Sequence, residues 1–115
     1  MYSTGDELDG KFVILAGYLK KRVLTSWTIG YFAILSGGIL VELNGPKPTV
    51  SINISEYELT DGTVAVGKFH SFCLVKNIKE KIYLRAASEE DASKWVSVLE
   101  VFIILQHLSI VFFTK

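Results

Sequence analysis

The chain has 115 residues with 12 Lys+Arg and 12 Asp+Glu, giving a formal net charge of zero. That length suits one domain able to fold without metals or disulfides, and zero net charge argues against bulk attraction to nucleic acid. A single cysteine, Cys73, excludes an intrachain disulfide. Its setting, Phe72-Cys73-Leu74-Val75, reads as a buried structural thiol, and the cysteine usage fits a reducing cytosol.

Residues 1–10 are polar and acidic, with no apolar stretch of signal-peptide form, and read as a flexible lead-in. From Phe12 the chain turns apolar and β-rich. Phe12 to Lys21 reads as one long strand, or two joined at Gly17, and Trp27 to Leu35 as a second. Ser36-Gly37-Gly38 is a tight turn, and Ile39 to Leu43 returns as a strand. Asn44-Gly45-Pro46-Lys47-Pro48 breaks the pattern, because prolines cannot serve a central ladder. Val50-Ser51-Ile52-Asn53-Ile54 alternates with period two, so one face is buried. Asp61-Gly62 signals a turn before a short strand over Thr63 to Val66. Phe72 to Lys76 and Lys81 to Arg85 form a hairpin around Asn77 to Glu80.

The period then changes. Ser88 is a good N-cap, with Asp91 three residues on. Glu89, Glu90 and Asp91 suit the positive end of a helix dipole. Ala92, Trp95, Val96, Leu99, Phe102 and Ile103 fall on one helical face. The expected architecture is mainly β with one C-terminal helix: a seven-stranded bent antiparallel sheet or partly open barrel, plugged at one end by the helix through Trp95.

Charge is segregated although it cancels overall. Lys20, Lys21 and Arg22 stand together where the first hairpin should turn, while Glu80, Glu89, Glu90 and Asp91 lie before or inside the helix start. Clustered cations at the open end of a sheet suit a phosphorylated headgroup. Val23-Leu24 follow in the turn, placed either to touch a lipid interface or to fold back onto Trp27. His70 and His107 stand alone, so no metal site is expected. No nucleophile-and-base constellation or cofactor loop appears, so the chain reads as non-catalytic, without a cofactor.

The order of these pieces resembles a pleckstrin homology (PH) domain. The resemblance is carried by Gly17-Tyr18-Leu19 with Lys21-Arg22, Trp27 with Tyr31-Phe32 and Leu35, Phe72-Cys73-Leu74-Val75, Tyr83-Leu84-Arg85-Ala86, and Ser88 to Trp95. It spans roughly residues 12 to 105. The resemblance implies a domain over residues 11–105 with no catalysis, a cytoplasmic, peripheral-membrane location, and binding of phosphoinositide or other anionic lipid headgroups. By that resemblance Lys20, Lys21, Arg22 and Lys81 would hold phosphates, with Val23 and Leu24 in contact with membrane. The family's basic-x-arginine pair in the second strand would fall at Thr28 and Gly30, neither of which is basic. The implied site is therefore weak or unconventional. The alternative is a protein-interaction module of the same fold, using a sheet edge or the C-terminal tail.

That tail, residues 106–115, continues the apolar run Val101-Phe102-Ile103-Ile104-Leu105 with Ile110-Val111-Phe112-Phe113. The run is shorter than the ~20 residues a bilayer crossing needs. Added core packing, self-association or a partner surface, and an interfacial membrane anchor all remain as readings of it.

Overall fold

A computed structural model of the chain describes residues 2–45, 47–61 and 69–113, with side chains through residue 106 and at Leu108. The strands are β1 (Glu7–Leu8), β2 (Lys11–Val23), β3 (Ser26–Leu35), β4 (Ile39–Asn44), β5 (Lys47–Asn53), β6 (Glu58–Asp61), β7 (Ser71–Val75) and β8 (Lys81–Arg85). A 3₁₀ turn (Ile54–Glu56) separates β5 from β6, and one helix, α1 (Glu89–Phe113), closes the chain. Seven strands follow one antiparallel path, β5-β4-β3-β2-β8-β7-β6, and β1 pairs with β2 off that path. The path does not close into a barrel. The strand expected over Thr63 to Val66 lies outside the described residues.

The glycine at position 17 does not interrupt β2, which pairs with β3 from Val13 to Val23 apart from one irregularity between Val13 and Leu15. Pro48 lies in β5, at an end of the sheet path, and proline within a sheet is confined to such edge strands or to bulges. The strand after the 3₁₀ turn comes earlier than the turn signal suggested: Asp61 is the last residue of β6, paired with Phe72.

Within the lead-in expected over residues 1–10, residues 2–10 make specific contacts with the sheet. Gly5 N–H donates to the Val13 carbonyl at 2.8 Å, and Val13 N–H to the Asp6 carbonyl at 2.7 Å. Tyr31 Oη donates to the Tyr2 carbonyl at 2.5 Å. Leu8 is buried with Val13, Ala33, Leu35, Val41 and Leu43. These are the outward-facing apolar residues of β2, β3 and β4, which would otherwise be wet. Burial of that face, more than any local propensity, fixes the segment.

The main core lies on the other face. Leu19, Phe32, Ile34, Leu40, Leu74 and Leu84 point inward from five strands against Trp95 and Leu99 of α1. Asp91 N–H donates to Ser88 Oγ at 3.1 Å, which makes Ser88 the expected N-cap. Trp95 is 1% exposed and plugs the sheet as its position in the helix predicts. Phe102 sits over the β3–β4 turn, where Gly38 has φ +81° and a Cβ would lie 2.9 Å from the ring. The expected boundary between residues 105 and 106 falls inside α1, which runs unbroken to Phe113. Beyond the buried face, Val101, Ile104, Leu105 and Leu108 are exposed. Their spacing of three and four residues places them on one stripe.

Candidate anion-binding face

Three hairpin turns share one end of the sheet. They join β2 to β3 (residues 24–25), β4 (ending at Asn44) to β5 (beginning at Lys47) and β7 to β8 (residues 76–80), as the antiparallel registers require. The helix start and the β3–β4 turn lie at the other end. Every sequence-predicted site residue belongs to the first of these ends or borders it.

A strand alternates its side chains between faces, and this divides the basic triplet. Leu19 is buried in the core, so Lys21 also points inward and Lys20 and Arg22 point outward. The registers agree. Lys20 is paired with Ile29 on one side and Arg85 on the other, whereas Lys21 is paired with Thr28 and with the buried Leu84. The side chains of Lys20 and Arg22 therefore lie on the opposite face of the sheet from that of Lys21.

On the inner face, Lys21 Nζ lies 2.6 Å from Glu42 Oε1, and the two side chains are 29% and 19% exposed. Phe32, Leu40, Val50, Ile52 and Ile82 line a cavity of about 150 Å3 with this pair. Gly30 gives the carboxylate its room: a Cβ at that position would sit 2.7 Å from Glu42 Oε2. The inner face thus holds a cation and an anion already joined.

The outer face differs. Lys20 and Arg85 are directly opposite on neighbouring strands. With Tyr18, Leu19, Ile29, Ala86 and Ala87 they line a hollow of about 270 Å3. Among the described residues neither cation has a carboxylate within ion-pair reach. Arg85 Nε donates to the Phe69 carbonyl at 3.1 Å, which steadies the guanidinium without neutralising it. Arg22, on the same face opposite Trp27, donates from Nε to the Leu24 carbonyl at 3.0 Å. That bond closes the turn in which Leu24 has φ +58°.

Lys81 also faces outward, since Ile82 and Leu84 of the same strand face the core. It lies four residues along β8 from Arg85, a separation of about 13 Å. It therefore shares the face with Lys20 but not the hollow. Lys76 is engaged elsewhere, 3.4 Å from Glu56 and 4.0 Å from Glu80; the Glu56 charge raises its pKa.

At the turns, Leu24 is 91% exposed and Val23 47%, so neither folds back onto Trp27 to be buried there. Ile78, in the β7–β8 turn at the same end, is also 91% exposed. The Cys73 thiol is buried, as expected, and burial raises its pKa. No three His, Cys, Asp or Glu side chains are grouped to hold a metal among the described residues. Within the same residues, no helix is long and apolar enough to cross a membrane.

Sequence reasoning missed two participants. Arg85 drew attention only as part of a fold pattern, and its pairing with Lys20 depends on a long-range register. Glu42 carried a local signal that went unread: a lone carboxylate in the apolar strand Ile39-Leu40-Val41-Glu42-Leu43, where an inward acid needs a cation.

The chain thus forms an open antiparallel sheet plugged by one helix, with three hairpin turns at the free end. The family model for the PH domain matches residues 13–103, and the chain belongs to that family. PH domains are generally non-catalytic binding modules. No curated protein sequence matches the chain closely enough to count as a relative. Solved structures share the fold. The C-terminal PH domain of pleckstrin, in complex with D-myo-Ins(1,2,3,4,5)P5, has a TM-score of 0.66 at 16% identity, covering 77% of this chain and 96% of that one. The PH domain of human oxysterol binding protein-related protein 11 has a TM-score of 0.66 at 22% identity, with 84% of each chain covered. The Slm1-PH domain in complex with phosphoserine gives 0.65 at 23% identity, covering 79% and 95%.

Proposed function

We propose that this domain docks on anionic membrane surfaces by binding phosphate-bearing lipid headgroups, phosphoinositides among them, on the outer face of β2, β3 and β8. Lys20 and Arg85 are the phosphate ligands. Arg22 and Lys81 extend the positive field toward the turns, and Leu24, Val23 and Ile78 enter the interface. Lys21, expected to be a central ligand, is assigned instead to Glu42.

One observation carries this reading: two cations stand directly opposite on adjacent strands with no carboxylate beside them among the described residues. Like charges so placed destabilise a sheet, and a bound anion would offset that cost. The hollow beside them, with Tyr18 and Ile29 in its wall, gives an anion a place to sit. Fold neighbours solved with an inositol pentakisphosphate and with phosphoserine support the ligand class. Each cation near an anionic surface contributes roughly 1 kcal/mol, so a few of them give weak, salt-sensitive docking.

The test is liposome co-sedimentation, varying headgroup at two salt concentrations. Binding should follow negative charge and weaken as the Debye length shrinks. If Lys20→Ala with Arg85→Ala binds as well as the parent, the assignment is wrong.

A second reading, a protein-interaction module of the same fold, is favoured by the exposed stripe Val101, Ile104, Leu105 and Leu108. Apolar area arranged on one helical face is a common form of partner surface. Flat liposome titrations together with a concentration-dependent change in sedimentation would favour it.

A further inference from the structure

We propose that Glu42 is the specificity-determining residue of the open end: it occupies, within the molecule, the position an anion would take beside Lys21, and so keeps phosphate out of the inner cavity. The domain then meets headgroups through its outer face alone. This goes beyond the headgroup reading above and rests on it only in assuming that the domain meets anions at all.

Three features of the inner face converge on this role. Lys21 is its cation, and its ammonium is 2.6 Å from Glu42 Oε1. The remaining walls are apolar, from Phe32, Leu40, Val50, Ile52 and Ile82, so among the described residues nothing else lining the cavity would stabilise a second negative charge. The other carboxylate oxygen lies over Gly30, where any side chain would displace it. Glycine at 30 and glutamate at 42 are thus a matched pair, one vacating the space that the other fills.

The consequence is selective. A phosphate entering the cavity would face Glu42 and compete for a cation already bonded to it in a site that is mostly closed to water. The same phosphate on the outer face meets Lys20 and Arg85 unopposed among the described residues. A headgroup that presents one phosphate to a surface can satisfy the outer face. A headgroup that depends on burying several phosphates in the interior gains nothing here.

The experiment uses the full chain and inositol hexakisphosphate, followed by backbone amide NMR and by calorimetry. In the parent, shifts should appear at Lys20 and Arg85 but not at Lys21 or Gly30. In Glu42→Gln, shifts should also appear at Lys21 and Gly30. Affinity should rise about tenfold, as expected when a unit charge a few ångström from a phosphate is removed. Lys21→Met added to Glu42→Gln should abolish the gain. Parent shifts centred on Lys21 and Gly30 would overturn the proposal, and that arm stands even if Glu42→Gln fails to fold. An affinity for folded Glu42→Gln within twofold of the parent would also overturn it. A parent that shows no shifts while Glu42→Gln gains binding would support the role of Glu42 and refute the outer-face reading, so the two fail separately.

Discussion

Replacing Lys20 by Gln should move stability and binding in opposite directions. Lys20 and Arg85 are a directly opposed cross-strand pair, and like charges so placed cost about 0.2–1 kcal/mol. Removing one of them should recover about 0.5 kcal/mol. For a domain of this size that raises Tm by about 2 °C. The gain should shrink at high salt, where the repulsion is screened. Affinity for vesicles rich in phosphatidylserine should fall about fivefold, the value of one cation at an anionic surface. Arg85→Gln should behave likewise, and the double variant should be no more stable than the better single one, since either change alone relieves the repulsion. Differential scanning calorimetry at two salt concentrations and vesicle co-sedimentation measure both effects. A lower Tm for Lys20→Gln, with vesicle binding unchanged, would refute the reasoning, because Lys20 would then be a structural residue with no anion to hold.

Three further outcomes are expected. Trp95→Ala should cost about 3–5 kcal/mol of unfolding free energy in urea, as it empties the largest buried side chain from the core. Leu24→Ser should weaken vesicle binding while leaving binding of inositol hexakisphosphate in solution unchanged, because Leu24 is 91% exposed in the turn and the substitution removes apolar surface without altering any charge. Burial raises the Cys73 thiol pKa, so the folded state favours the protonated thiol. Above the ordinary thiol pKa the unfolded chain gives up this proton and the folded chain retains it, so stability falls as pH rises there. Chemical denaturation from neutral to strongly alkaline pH should show this loss, and Cys73→Ala should flatten it.

The period of apolar residues made much of the fold legible. Trp95 and Leu99 fall on the helix face that the spacing from Ala92 to Ile103 marks out, and β2, β3, β4, β7 and β8 lie where alternation and turn residues put them. β1 was not legible, because Glu7-Leu8 is too short to carry a pattern and is held by a face that forms only once β2, β3 and β4 have paired. β6 was missed because its alternation, Glu58-Leu59-Thr60, runs directly into the turn signal at Asp61. The site was half legible. Cations at the first hairpin were visible, and strand parity alone could have shown that Lys20 and Lys21 point apart. Their partners, Arg85 and Glu42, lie 65 and 21 positions away in sequence from Lys20 and Lys21 respectively, and only the sheet registers bring them together.

The two-sidedness of β2 has an evolutionary consequence. A single residue inserted after Leu19, and absorbed in the adjoining turn, would reverse the parity of everything between. Lys20 and Arg22 would then face Glu42, and Lys21 would stand outside. One insertion, with no change in composition beyond it, would exchange an interior in which one cation is matched by Glu42 for one in which two cations share it. Two descendants of one ancestral hairpin could in this way come to read the same membrane from opposite sides of the sheet.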